Sequence, residues 1–191
     1  MEPLRKDDKY TYGDYKTWDD DERWELIDGV AYAMSPAPSV HHQKLVNYMV
    51  LQLGNFLTGK PCQVFDSPID VRFEEADEAG TVVQPDILVI CDPTKIRYEC
   101  IVGAPDLIVE VLSPSTAARD TIEKMRLYQR EGVPEYWVVA PEEKAVYLHI
   151  LEGGQYTAAK YKDGAVSSVR LAGFSLDVGD LFASLEGLPV R

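Results

Sequence analysis

Pro105-Asp106-Leu107-Ile108-Val109-Glu110-Val111-Leu112-Ser113-Pro114-Ser115-Thr116-Ala117-Ala118-Arg119-Asp120-Thr121-Ile122-Glu123-Lys124 is the stretch whose reading decides the fold. Its apolar run, Leu107 to Leu112, is rich in β-branched residues and reads as a strand buried on both faces. One carboxylate, Glu110, lies inside that run. A buried carboxylate is costly unless it is paired, hydrogen-bonded or bound to a metal. The strand ends at Ser113-Pro114, because proline lacks a donor and holds the residue before it away from helical angles. A helix from Thr116 to Arg130 follows, with Ser115 or Thr116 as N-cap. Gly132 and Pro134 lie just beyond it, the usual stop. Glu135 to Ala140 is the next strand, so strand, helix and strand suit a right-handed crossover.

Working outward, Ile87 to Ile90 is a second buried-strand run, preceded by Gln84-Pro85-Asp86. Val40 to Leu57 is the longest predicted helix, with Val46, Met49, Val50, Leu53, Phe56 and Leu57 on one stripe and Gly59 as stop. Trp24 to Met34 reads as a hairpin turning at Asp28-Gly29. Alternation there puts Trp24 and Leu26 on the face taken as core, and Glu25 and Ile27 on the other. Thr11 to Trp18 is a short helix, Cys62 to Phe73 a strand or strand pair, and Glu74 to Gly80 an acidic exposed turn. Ala145 to Leu151 and Tyr156 to Tyr161 form a further hairpin, and a short helix lies near Asp180. The fold class is therefore α/β: a mixed β-sheet flanked by helices, with an N-terminal helix and hairpin.

At 191 residues the chain fits one domain spanning 1–191, with residues 1–10 expected to fray. No stretch approaches the roughly 18 apolar residues of a membrane span. Cys62, Cys91 and Cys100 are odd in number and lack C-x-x-C spacing. That predicts free thiols and a cytoplasmic location. The net charge of −13 repels polyanions at long range, which counts against non-specific nucleic-acid binding but not against a local basic groove.

Asp86, Glu110 and Lys124 are the residues that could carry chemistry. If the two buried strands are neighbours, both carboxylates reach one point. Two carboxylates with a main-chain carbonyl and water suit a hard divalent cation, most simply magnesium, with manganese a substitute. Such an ion activates water and offsets charge on a scissile phosphate. Lys124 lies on the following helix, within reach of the strand end. Each residue also has a plain structural alternative. Asp86 could cap the turn at Pro85, Glu110 could be a buried ion-pair member, and Lys124 could pair with Asp120 one turn away. Glu25 could be a solvated hairpin charge, and His42 an ordinary helix-start residue. Asp106 competes as the aspartate after a proline and is a supporting candidate on the face of Glu110. Tyr136-Trp137 is most simply core.

Pro85-Asp86 followed by Glu110 resembles the PD-(D/E)XK nuclease superfamily. Trp24-Glu25-Leu26-Ile27-Asp28-Gly29, His41-His42, Gln84-Pro85-Asp86, the run from Pro105 to Thr116, Asp120 with Lys124, and Gly132-Val133-Pro134-Glu135-Tyr136-Trp137 resemble, more specifically, a bacterial family of restriction-endonuclease-like proteins. The likeness covers roughly Tyr12 to Asp180. It implies a restriction-endonuclease-like core and a metal-dependent phosphodiesterase site. Asp86 and Glu110 would be the metal ligands, Glu25 the additional acidic residue, and His42 a substrate contact. The superfamily lysine belongs two residues after Glu110, where this chain has Leu112. Lys124 is the expected substitute.

The functional expectation is magnesium-dependent cleavage of DNA by a homodimer. The alternatives are a catalytically decayed binding module of the same fold, or a hydrolase of small phosphorylated molecules. A nuclease should gather some of Lys44, Lys95, Arg97, Arg119, Lys124 and Arg126 near the carboxylates.

Overall fold

The computed structural model describes residues 8–18, 22–34, 38–113 and 122–189. Its centre is a six-stranded mixed sheet ordered β11-β10-β9-β8-β6-β3. These strands are β3 (Gln63–Asp66), β6 (Ile87–Ile90), β8 (Leu107–Val111), β9 (Glu135–Ala140), β10 (Ala145–Glu152) and β11 (Gln155–Tyr161). β8 and β9 pair in parallel, with Glu110 opposite Val138, and every other pairing in this sheet is antiparallel. All five residues of β8 and all six of β9 are buried, as the unbroken apolar runs require of strands covered on both faces.

Each face of that sheet has its own cover. Helix α2 (Val40–Leu57) and helix α4 (Val178–Ala183) pack on one face. There Leu45, Met49, Leu53 and Leu181 meet Ile87, Val109, Trp137 and Val139. The α2 stripe is as expected, extended by Leu45 and His42, and Gly59 follows the Thr58 cap in the left-handed region at φ 77°. On the other face, helix α3 (Lys124–Arg130) and a second sheet cover Leu88, Ile108, Tyr136 and Val138. This second sheet is five-stranded, ordered β2-β1-β5-β4-β7. It is built from β1 (Trp24–Ile27), β2 (Val30–Ala33), β4 (Asp70–Arg72), β5 (Val82–Val83) and β7 (Cys100–Val102). Its hairpin turns at Asp28 and Gly29, with φ 52° and 80°, the pair of positive values a tight two-residue turn needs. A small hairpin of β12 (Ala165–Ser167) and β13 (Ser175–Asp177) completes the first face.

The hairpin differs from the expectation in one respect that matters for the site. Leu26 packs outward against Tyr12 of α1 (Tyr12–Tyr15) and Val82, a minor cluster. Ile27 packs inward against the main sheet, and by alternation Glu25 shares its face. The face carrying Glu25 is therefore the inner one.

One further expectation is corrected. Of the residues expected to fray, 1–7 lie outside the described residues, and Tyr10 N donates to Gly29 O at 2.8 Å. The cysteines are not all free: Cys62 and Cys91 are disulfide-bonded, and Cys100 is a buried thiol. The β3–β6 register pairs Gln63 with Ile90, so the next pair outward is Cys62 with Cys91, a juxtaposition that strand pairing creates. The proposed N-cap residues Ser115 and Thr116, with Arg119 and Asp120, lie outside the described residues. No described helix is long and apolar enough to cross a membrane.

Candidate active site

Alternation along β8 turns Ile108 and Glu110 toward α3. Glu110 is only 3% exposed, and its Oε1 accepts from Lys124 Nζ at 2.9 Å and from the Tyr128 hydroxyl at 2.8 Å. Lys124 and Tyr128 are four residues apart on α3, the spacing that stacks side chains on one helix face. Lys124 is itself only 3% exposed, and its ammonium lies 2.8 Å from Glu25 Oε1. That same Glu25 oxygen accepts the main-chain N–H of Gln84 at 2.9 Å. One ammonium thus sits between two buried carboxylates drawn from β1 and β8. Burial above all, then the field of Glu110, pushes the Tyr128 phenol well above its ordinary pKa. It therefore stays protonated and donates.

Asp86 stands at the same strand end, one step before β6. β6 and β8 pair Ile87 with Val109, so Asp86 stands opposite Glu110 one step further on. Pro85 takes the chain out of the ladder there. Asp86 Oδ2 accepts the Val111 N–H at 2.8 Å, a contact across to β8 rather than a cap of the turn at Pro85. His42 Nε2, in the first turn of α2, lies 3.2 Å from the same oxygen. An ionised carboxylate only accepts, so Nε2 carries the proton. The Asp86 side chain is 20% exposed, and its Oδ1 makes no hydrogen bond among the described residues. The strand end therefore gathers Asp86, with His42 of α2 beside it, and Glu110 of β8, with Lys124 of α3 and Glu25 of β1 beside it.

A polar network supports this end from the second sheet. Gln84 donates through Nε2 to Asp70 Oδ1 at 2.8 Å and to the Tyr15 hydroxyl at 3.2 Å. Because Asp70 can only accept when ionised, the Gln84 amide is oriented with its oxygen toward Arg23, whose Nε donates at 3.0 Å. Arg23 Nη2 also reaches Gln84 Oε1 and donates to Ser67 Oγ at 2.7 Å. The Ser67 N–H donates to Asp86 O at 3.1 Å. Burial holds the Asp70 carboxyl above its usual range.

Other candidates are engaged elsewhere. Asp106 precedes β8, about 13 Å along the strand from Glu110. It binds Arg170 through Oδ1 at 2.6 and 2.8 Å and the Cys91 N–H through Oδ2 at 2.8 Å. It pins the loop before β13 to the far end of the sheet and does not support the site. Lys95 donates to Ala104 O, and Arg97 pairs with Glu75. Lys44 and Arg126 are exposed. Tyr128 and Arg23 were not singled out by sequence, and Gln84 only as part of Gln84-Pro85-Asp86. A tyrosine on an apolar helix stripe reads as core, and Arg23 follows a run of acidic residues.

Among the described residues no group of three or more His, Cys, Asp or Glu side chains could by itself hold a metal ion.

The comparisons with known proteins agree with this architecture. A family model described as "Putative restriction endonuclease", Uma2, matches residues 12–179. The chain is 28% identical over 176 residues to the "Uncharacterized protein slr1290" of Synechocystis sp. (strain ATCC 27184 / PCC 6803 / Kazusa), an alignment covering 90% of each. A crystal structure described as a "putative nuclease belonging to DUF820", from Anabaena variabilis ATCC 29413, shares its fold. The TM-score is 0.75 at 20% identity, covering 92% of this chain and 98% of that one. With the family model spanning all but the two ends, the chain belongs to the Uma2 family of "putative restriction endonucleases".

Proposed function

We propose that this protein is a divalent-cation-dependent endonuclease that hydrolyses phosphodiester bonds in DNA, with Asp86 and Glu110 holding magnesium or manganese. The observation that carries the reading is the Lys124 ammonium, 2.9 Å from Glu110 Oε1. It comes from the helix rather than from position 112, where Leu112 stands. The donor set fits the cation. Magnesium is commonly held by one or two carboxylates and completes its shell with water and substrate phosphate. Asp86, with one unbonded oxygen at a partly open strand end, offers such a position opposite Glu110. When bound, the ion would lower the pKa of a water and offset charge on the phosphate.

The chain's own groups have distinct tasks in this reading. Lys124 is a fixed positive charge beside Glu110 that orients the attacking water and balances negative charge growing on the phosphate. Glu25 and Tyr128 hold that ammonium and carboxylate in one geometry. His42, hydrogen-bonded to Asp86, steers that carboxylate and lines the approach of the DNA. Cutting both strands requires two such centres, which suits a homodimer.

One observation favours the binding-module alternative. Glu25, Glu110 and Lys124 are 0%, 3% and 3% exposed, a charge arrangement that could serve packing alone. Supercoiled-plasmid cleavage decides between them. Asp86→Asn keeps an oxygen for the Val111 N–H but removes the ligand charge. It should lower magnesium-dependent cleavage by about 10²-fold or more at an unchanged melting temperature. Wild-type protein that cuts no faster with magnesium than with chelator would leave the binding module.

A further inference from the structure

The Arg23 guanidinium is held in place without a carboxylate among its hydrogen-bond acceptors, and the Asp70 carboxylate beyond Gln84 is close enough to feel its charge. Of the described arginines, Arg97 pairs with Glu75, Arg130 with Asp28, Arg170 with Asp106, and Arg72 lies 3.9 Å from Asp77. Arg126 is exposed on α3 with no fixed partner. Arg23 differs from all of these, because its hydrogen bonds go to two neutral acceptors, the Gln84 amide oxygen and the Ser67 hydroxyl. The Gln84 amide cannot turn away, since Asp70 and Tyr15 hold its nitrogen. Arg23 Nη1 makes no hydrogen bond among the described residues, and the side chain is exposed.

Position adds to this. Both anchors flank the aspartate of the site. Gln84 is two residues before Asp86, and Ser67 binds the Asp86 carbonyl at 3.1 Å. The Gln84 N–H also meets Glu25. Arg23 therefore stands on the rim of the strand end that carries the carboxylates. In a chain of net charge −13, a polyanion must be captured by local positive charge. With Nε and both Nη2 hydrogens engaged, Nη1 is the open donor of a guanidinium held in place, aimed to meet a phosphate oxygen.

We propose that Arg23, oriented by Gln84 and Ser67, binds a backbone phosphate of the nucleic acid next to the one cleaved. The proposal rests on the nuclease reading above and names a substrate contact of the same site. Arg23 touches the substrate and orients it, while Gln84 and Ser67 act only by positioning Arg23.

The test is binding of a labelled DNA duplex to the full chain in chelator, at several salt concentrations, for wild type, Arg23→Ala and Arg23→Lys. One phosphate contact contributes about 0.9 to the slope of log affinity against log salt. Arg23→Ala should lose about one unit of slope and several-fold in affinity at low salt. Arg23→Lys should keep the slope and recover only part of the affinity, because an ammonium restores the charge and not the donor anchored on Gln84 and Ser67. A merely structural arginine would move the melting temperature and leave the slope alone. If wild type binds the duplex and Arg23→Ala has the wild-type slope, the Arg23 proposal is overturned while the nuclease reading stands. If wild type neither binds nor cuts DNA under any condition, the nuclease reading fails, and this proposal with it.

Discussion

Replacing Lys124 with methionine removes the ammonium that lies between Glu25 and Glu110 while nearly preserving the volume of the side chain. The wild-type ammonium is 2.8 Å from one carboxylate and 2.9 Å from the other. All three groups are at most 3% exposed, so solvent screens little. Breaking a buried pair by deleting one partner costs about 3–5 kcal/mol, because the remaining charge is buried uncompensated. Here two buried carboxylates lose the ammonium they share, which puts Lys124→Met at the upper end, about 5 kcal/mol. That is a large part of the about 5–15 kcal/mol that stabilises an ordinary domain. With a urea dependence of about 2–3 kcal/mol per molar, the midpoint should fall by about 2 M. Adding Glu25→Gln to Lys124→Met removes the repulsion and should recover a substantial share of the loss. Equilibrium urea unfolding of wild type, both single variants and the double variant measures the coupling. A Lys124→Met cost below about 1 kcal/mol, typical of solvent-exposed pairs, would refute the buried triad. It would leave Lys124 free to act without a structural role.

Alkaline pH should expose Tyr128. Its folded pKa lies well above the ordinary value of 10.0, so the native state keeps the proton that the unfolded chain gives up. Stability is then fully present below pH 10 and falls as pH rises above it, by up to about 1.4 kcal/mol per pH unit for this residue. Tyr128→Phe should show a shallower alkaline slope in thermal melts; an unchanged slope would rule out Tyr128 as its source. Reduction of Cys62–Cys91, separated by 29 residues, should cost about 3–4 kcal/mol through loop-closure entropy. Urea unfolding with and without reductant checks this, and identical midpoints would refute it.

Much of the fold was legible because its central strands advertise themselves. An apolar run such as Leu107 to Val111 has no exposed face to fit, and Glu110 stands out in it for the same reason. Lys124 could be found because a lysine was missing at Leu112. The limits were equally physical. Alternation tells which face a residue shares but not which end of the sheet it occupies, so Asp106 was placed with Glu110 although it ties down Arg170 at the other end. The hairpin was assumed to have one covered face, whereas Leu26 and Ile27 are buried on opposite sides. Cys62 and Cys91 come together through strand register, which sequence spacing does not encode. Tyr128 acts through its hydroxyl while looking like filler for a core.

The triad at the strand end draws its charges from the first hairpin, the middle of the main sheet and the helix that follows. None of these segments holds a complete set. A ribosome that has released only the first hundred residues has made Glu25 and Asp86 but neither Glu110 nor Lys124. Contacts so distant in sequence form late, after shorter loops have closed. The nascent chain is thus harmless by construction. On the nuclease reading proposed above, the centre is complete only after synthesis has passed α3 and the two sheets have docked, so its own assembly would act as the safety catch.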